Sequence, residues 1–123
     1  MSNEIPEQLR LFIRRNFNSV SLLDVLFLLK RDEKRKWTPE EVSLEMRTNL
    51  SYATAQLTEL VALKLVSSRE GTFSFSPVPA DGEFIEELER LYNARRSTVI
   101  NFIYSQPIDS IRNFADAFKL KKD

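Results

Sequence analysis

The sequence predicts a mainly α-helical protein carrying one β-hairpin, and three observations support this. Apolar residues recur at three- and four-residue spacing through most of the chain, as amphipathic helices require. One short stretch, Thr72-Phe73-Ser74-Phe75-Ser76, alternates polar and aromatic residues instead, the period of a half-buried strand. The length of 123 residues, with 42% apolar and 29% charged side chains, suits one globular domain around a single core.

Taken in order, residues 6–17 place Leu9, Phe12, Ile13 and Phe17 on one helical face, and Pro6 suits a first turn where its missing N–H costs nothing. Asn18-Ser19 marks a break. Residues 20–31 carry Leu22, Leu23, Val25, Leu26, Phe27, Leu28 and Leu29 almost around the whole axis, as a buried central helix does. The charge run over residues 30–36, net +3, reads as a solvated loop. Thr38-Pro39-Glu40-Glu41 then has the form of a capping box. Thr38 can accept from the third helical amide, Glu41 can return the bond, and Pro39 presets the first helical φ. The short helix it opens turns Val42, with Leu44 or Met46, inward and stops at Asn49 and Ser51. Ser51 is the expected cap of the next helix, which runs to about Leu63 with Ala53, Leu57, Leu60 and Val61 toward the core.

Strands over residues 65–69 and 72–76 flank Glu70-Gly71, and Pro77 and Pro79 close the hairpin. From Asp81, the expected N-cap, one long helix is predicted to about Tyr104. It carries the stripe Ile85, Leu88, Tyr92, Val99 and Phe102, with Arg95 at its one polar place. Gln106-Pro107 ends it. A last amphipathic helix is expected with Ile108, Ile111, Phe114, Ala115 and Phe118. The chain thus divides into an N-terminal helix (1–19), a core (20–80) and a C-terminal helical extension (81–123) of one domain.

Composition narrows the function. The chain has no His and no Cys, which removes disulfides, thiolate and imidazole catalysis, and metal sites built on nitrogen or sulfur. With only Gly71 and Gly82, it has no phosphate-cradling glycine loop. No calcium-loop spacing occurs, and Glu86, Glu87 and Glu89 read as a solvated face rather than an acid/base pair. We therefore expect no enzyme, cofactor or metal. Eighteen basic and eighteen acidic residues cancel, and no uncharged run approaches a membrane span, so a soluble cytoplasmic protein is expected.

The segments LLDVLFLLKRD, WTPEEVSLEMRTNLSYATAQLTELVALKLV and SSREGTFSFSP, spanning residues 22–77, together resemble a winged helix-turn-helix domain. The long helix behind them resembles the dimerisation helix of MarR-like or PadR-like transcriptional regulators. The resemblance implies a small DNA-binding regulator, with Trp37 in a short strand added to the wing. One departure is Lys64, where such domains usually have Gly. The same fold also serves as a protein-interaction module, which is the alternative reading.

On that resemblance the helix from Ser51 would enter the major groove of double-stranded DNA. Ser51, Tyr52, Thr54, Ala55, Gln56 and Thr58 are its outward candidates, Gln for adenine and Thr or Ala for a thymine methyl. Arg47, Lys64 and Arg69 are the phosphate candidates. Tyr52 has a second reading, packing on the wing or the preceding helix with its hydroxyl in water. Phe73, Phe75 and Trp37 are expected in the core. Residues 37–77 hold Arg47, Lys64 and Arg69 against Glu40, Glu41, Glu45, Glu59 and Glu70, a balance of −2. Arg10, Arg14, Arg15, Arg31, Lys34, Arg35 and Lys36 would supplement that face only if the fold brings them there. The stripe of Ile85, Leu88, Tyr92, Val99 and Phe102 is expected to form a homodimer seam, or else to pack on the first or last helix of the same chain.

Overall fold

A computed structural model of the chain describes residues 5–105. In chain order these form α1 (Glu7–Asn16), α2 (Val20–Lys30), α3 (Pro39–Met46), α4 (Leu50–Ala62), β1 (Val66–Arg69), β2 (Thr72–Phe75), α5 (Pro79–Ala94) and α6 (Arg96–Tyr104). The structure is mainly helical, with one two-stranded antiparallel sheet, an order compatible with a winged-helix layout. The expected last helix, with Ile108, Ile111, Phe114, Ala115 and Phe118, lies outside the described residues.

α2 runs through the centre. The Ser19 hydroxyl accepts from the Leu22 amide at 3.2 Å to cap it, and Leu22, Leu23, Val25, Leu26, Leu28 and Leu29 are all buried. A helix apolar on nearly every side is stable in water only when other elements surround it. α3 and α4 pack on one another, and α4 and β2 both pack on α2.

The capping box forms as its spacing predicts. Thr38 Oγ1 accepts from the Glu41 amide at 3.1 Å, and Glu41 Oε1 accepts from the Thr38 amide at 3.0 Å. That backbone hydrogen bond holds the Glu41 carboxyl below its ordinary range. α4 corrects the expected cap: Asn49, not Ser51, accepts from the Tyr52 amide, at 2.7 Å. Both residue types cap well, and Asn49, in extended backbone, is the one that stands immediately before the first helical residue, Leu50.

Both helices end in a left-handed residue. Arg47 has φ 56° with Thr48 N–H bonded to Ser43 O at 3.0 Å; Lys64 has φ 65° with Leu65 N–H bonded to Leu60 O at 3.1 Å. These are Schellman closures, which glycine normally serves because it has no Cβ to clash. The hairpin pairs Val66 with Phe75 and Ser68 with Phe73, and its turn residues Glu70 (φ 51°) and Gly71 (φ 81°) are both left-handed, as a two-residue type I′ turn requires. Trp37 adds an isolated bridge to Phe73, with N–H···O bonds of 2.7 Å in both directions. Trp37 is buried, and Phe73 and Phe75 are half-buried against the core.

The predicted long helix is two. α5 starts at Pro79 with Val78 as its cap, not at Asp81, and it stops at Arg95, whose φ of −139° and ψ of 65° leave the helical region. The break turns α6 so that Val99 and Ile103 are buried in the same chain. Ile85, Leu88 and Val99 are 0% exposed and Tyr92 is 4% exposed, while Phe102 is half-buried beneath the Arg14 guanidinium. The stripe expected to be a dimer seam is therefore consumed within one chain. α5 packs on α1, with Phe12 and Phe84 stacked at 5.2 Å, and Arg15 reaches Asp81 at 3.6 Å.

Two polar ties join α5 to α2. The Tyr92 hydroxyl donates to Asp24 at 2.8 Å. Lys30, expected in a solvated loop, instead ends α2 with its side chain 10% exposed, bound to Glu89 at 2.7 Å and Glu86 at 3.2 Å. Burial pulls the ammonium pKa down, but the bonds to both carboxylates outweigh it and the net shift is upward. Glu86 and Glu89 are thus pairing groups, not merely a wet face.

Candidate nucleic-acid interface

α4 has an outward face free of the rest of the fold. Ser51, Thr54, Ala55 and Thr58 are exposed along it, on neighbouring rows of the helix surface, while Ala53, Leu57 and Leu60 point into the core. These four side chains are small and uncharged, while Glu59, one turn beyond Ala55, is exposed as well and carries a negative charge.

Two of the sequence candidates sit differently. Gln56 is buried, at 9% exposure, and its Oε1 has no hydrogen-bond partner; it is not presented for base contact. It lies one helical turn from Tyr52 and Leu60, on the flank that turns inward. Tyr52 keeps a half-open ring, 43% exposed, but its hydroxyl is bonded to the Ser21 hydroxyl at 2.6 Å. That contact ties α4 to the first turn of α2, where neither of its two sequence readings had placed it. Ser21 had no sequence signal, since nothing local links it to a residue 31 positions away.

The three phosphate candidates flank α4 along the chain. Arg47 precedes α4, Lys64 follows it and Arg69 ends β1; all three are exposed and make no ion pair among the described residues. A helix of 13 residues separates the first two, about 20 Å along its axis. Other cations are already engaged. Arg31 faces Glu45 at 3.9 Å, and Arg35 faces Glu41 at 3.6 Å while its guanidinium stands 3.5 Å over the Trp37 ring. Arg14 and Arg15 are turned to Phe102 and Asp81, on the α5–α6 side. The N-terminal arginines Arg14 and Arg15 thus do not supplement the α4 face. Lys34 and Lys36 are exposed in the α2–α3 loop and form no ion pair among the described residues, and Arg10 is half-buried in α1. Pairing by Arg31 and Arg35 offsets two of the carboxylates behind the −2 balance of residues 37–77, and extending the window back to Arg31 brings the balance to zero.

Beside the interface, Leu44 is 79% exposed and Leu50 46% exposed, one on each side of the α3–α4 corner. A groove of about 470 Å³ between α2, α3 and α5 is lined by Asp24, Phe27, Leu28, Met46 and Tyr92, among others. Among the described residues no cluster of His, Cys, Asp or Glu is arranged to hold a metal ion, and no helix is long and apolar enough to cross a membrane. No family model matches the chain, and no curated protein or solved structure matches it.

Proposed function

We propose that this chain is a winged helix-turn-helix protein that binds double-stranded DNA as a small transcriptional regulator, with α4 lying in the major groove. The supporting observation is the α4 face itself. Ser51, Thr54, Ala55 and Thr58 are exposed on it, and Arg47, Lys64 and Arg69, exposed and without an ion pair among the described residues, precede it, follow it and end β1. Phosphate contacts supply position and most of the non-specific affinity, and small polar or methyl-bearing side chains read base edges. In this reading Ser51, Thr54, Ala55 and Thr58 meet the bases, with Arg69 reaching the backbone from the wing. Gln56 takes no part, and Tyr52 contributes its ring alone.

The test is a fluorescence-anisotropy titration of the protein against a pool of duplex fragments at low salt, followed by selection on random duplexes. Binding that weakens log-linearly with salt is expected. Affinity no better than that of an uncharged control protein overturns the proposal.

One observation favours a second reading, a winged module that docks on another protein. Leu44 and Leu50 expose apolar surface at the α3–α4 corner, beside a region with no net charge. A stoichiometric protein partner whose binding is lost in Leu44→Asp, without any duplex binding, would decide for it.

A further inference from the structure

The groove of about 470 Å³ between α2, α3 and α5 joins an apolar floor to an acidic rim. Phe27, Met46 and Tyr92 make the floor, the two rings meeting at 5.7 Å. Asp24, Glu45 and Glu89 line it against one guanidinium, that of Arg31. Asp24 accepts from the neutral Tyr92 hydroxyl, so that bond leaves its charge in place. With Lys30 and its second partner Glu86 counted, four carboxylates face two cations, a balance of −2. Apolar surface in such a setting is stabilised by anything that takes it out of water, and the rim favours a basic occupant.

The chain leaves α6 beside this groove. Tyr104 is 63% exposed and lies close enough to Tyr92, in the floor, for its hydroxyl to raise the Tyr92 phenol further. Ser105 ends α6, and Gln106-Pro107 does not extend it, because Pro disfavours helical geometry in the residue before it. Three residue steps reach at most about 11 Å, so Ile108 falls near the point where α6 stops. From there the sequence spaces Ile108, Ile111, Phe114 and Phe118 by three or four, about 15 Å along a helix, and follows them with Lys119, Lys121 and Lys122.

An apolar stripe with a basic end thus starts at the mouth of an apolar floor with an acidic rim. We infer that residues 106–123, which lie outside the described residues, dock back on their own chain, setting Ile111, Phe114 and Phe118 on the floor of Phe27, Met46 and Tyr92 and the lysines toward Asp24 and Glu45. The inference does not rest on the DNA-binding reading. The same chain is the favoured source because a short connection holds the segment at an effective concentration of about millimolar, which a second copy does not match at ordinary protein concentrations.

Because the chain has no cysteine, one introduced thiol labels a single place. The experiment attaches a nitroxide to Asn113→Cys, off the apolar stripe, in the full isotope-labelled chain and reads the loss of amide intensity by NMR. The loss is expected to be strongest at Phe27, Met46 and Tyr92, and weaker at Leu11 and Phe84, which line a second groove between α1 and α5. A second sample mixes nitroxide-bearing chain without isotope with isotope-labelled chain without nitroxide, and no loss is expected there. Phe114→Asp, placed in the nitroxide-bearing chain, is expected to abolish the loss at the groove while the amides of α1 and α4 keep their positions. Glu45→Lys, exposed on the rim, is expected to reduce it without touching the floor. Loss centred on Leu11 and Phe84, or no localised loss at all, overturns the inference. Loss that appears only in the mixed sample overturns it in favour of a second copy. A pattern that neither Phe114→Asp nor Glu45→Lys diminishes also overturns it, because neither the stripe nor the rim would then hold the segment.

Discussion

Replacing Ile85 with Ala tests where α5 spends its apolar face. Ile85 is fully buried within a single chain, in a core shared with α1 and α2, and α5 approaches α1 through the Phe12–Phe84 stack. Truncating a fully buried isoleucine or leucine costs about 2–5 kcal/mol, the spread reflecting how far neighbours can collapse into the void. For a domain of this length one kcal/mol is worth roughly 3–5 °C, so the melting temperature should fall by roughly 8–20 °C. Thermal melts followed by circular dichroism, over about a hundredfold range of protein concentration, make the measurement. An intrachain core predicts a large drop of the same size at every concentration. A melting temperature that climbs with concentration in the parent, and an Ile85→Ala variant that dissociates without losing its fold, would refute the reasoning and restore α5 as a seam between copies.

Thr38→Ala should cost about 1 kcal/mol, seen as a lower urea midpoint at unchanged slope, because the Thr38 hydroxyl is the acceptor for the Glu41 amide while the bond from the Thr38 backbone N–H to Glu41 survives the change. Alkaline pH should destabilise the fold through Tyr92, whose phenol is raised from its ordinary 10.0 to about 12 by burial and by the hydrogen bond to Asp24. With the folded value above the unfolded one, stability falls as pH climbs from about 10 to 12, by on the order of 2 kcal/mol at the upper end. Lys30, also shifted upward, loses its contribution in the same direction. Tyr92→Phe retains Lys30 and should therefore show a visibly shallower alkaline loss in denaturant midpoints; an identical loss in both proteins would sink the assignment to Tyr92.

Local signals were legible and long-range ones were not. The capping box, the central buried helix and the Glu70-Gly71 turn follow from neighbours within four residues, where stereochemistry leaves few alternatives, and each forms as expected. Lys64, the one departure from the wing pattern, turns out to hold the left-handed backbone that explains why glycine is usual there. The stripe of Ile85, Leu88, Tyr92, Val99 and Phe102 shows the opposite case. Burial against a second copy and burial against α1 demand the same apolar residues, so only the chain path at Arg95 decides between them. Gln56 misled for a related reason: its amide looks outward-facing in a list of polar residues, yet the helix rotation set by Ala53, Leu57 and Leu60 turns it in. Within the candidate site, the flanking cations were readable as charges, and the freedom of three of them was not, because pairing depends on where Glu41 and Glu45 land.

The bridge between Trp37 and Phe73 sits one residue before the cap of α3. The hairpin is therefore held at two places, by two short backbone bonds to Trp37, the residue before the α3 cap, and by the Leu65–Leu60 bond to the end of α4. The hairpin is a lever anchored at its base rather than a free flap.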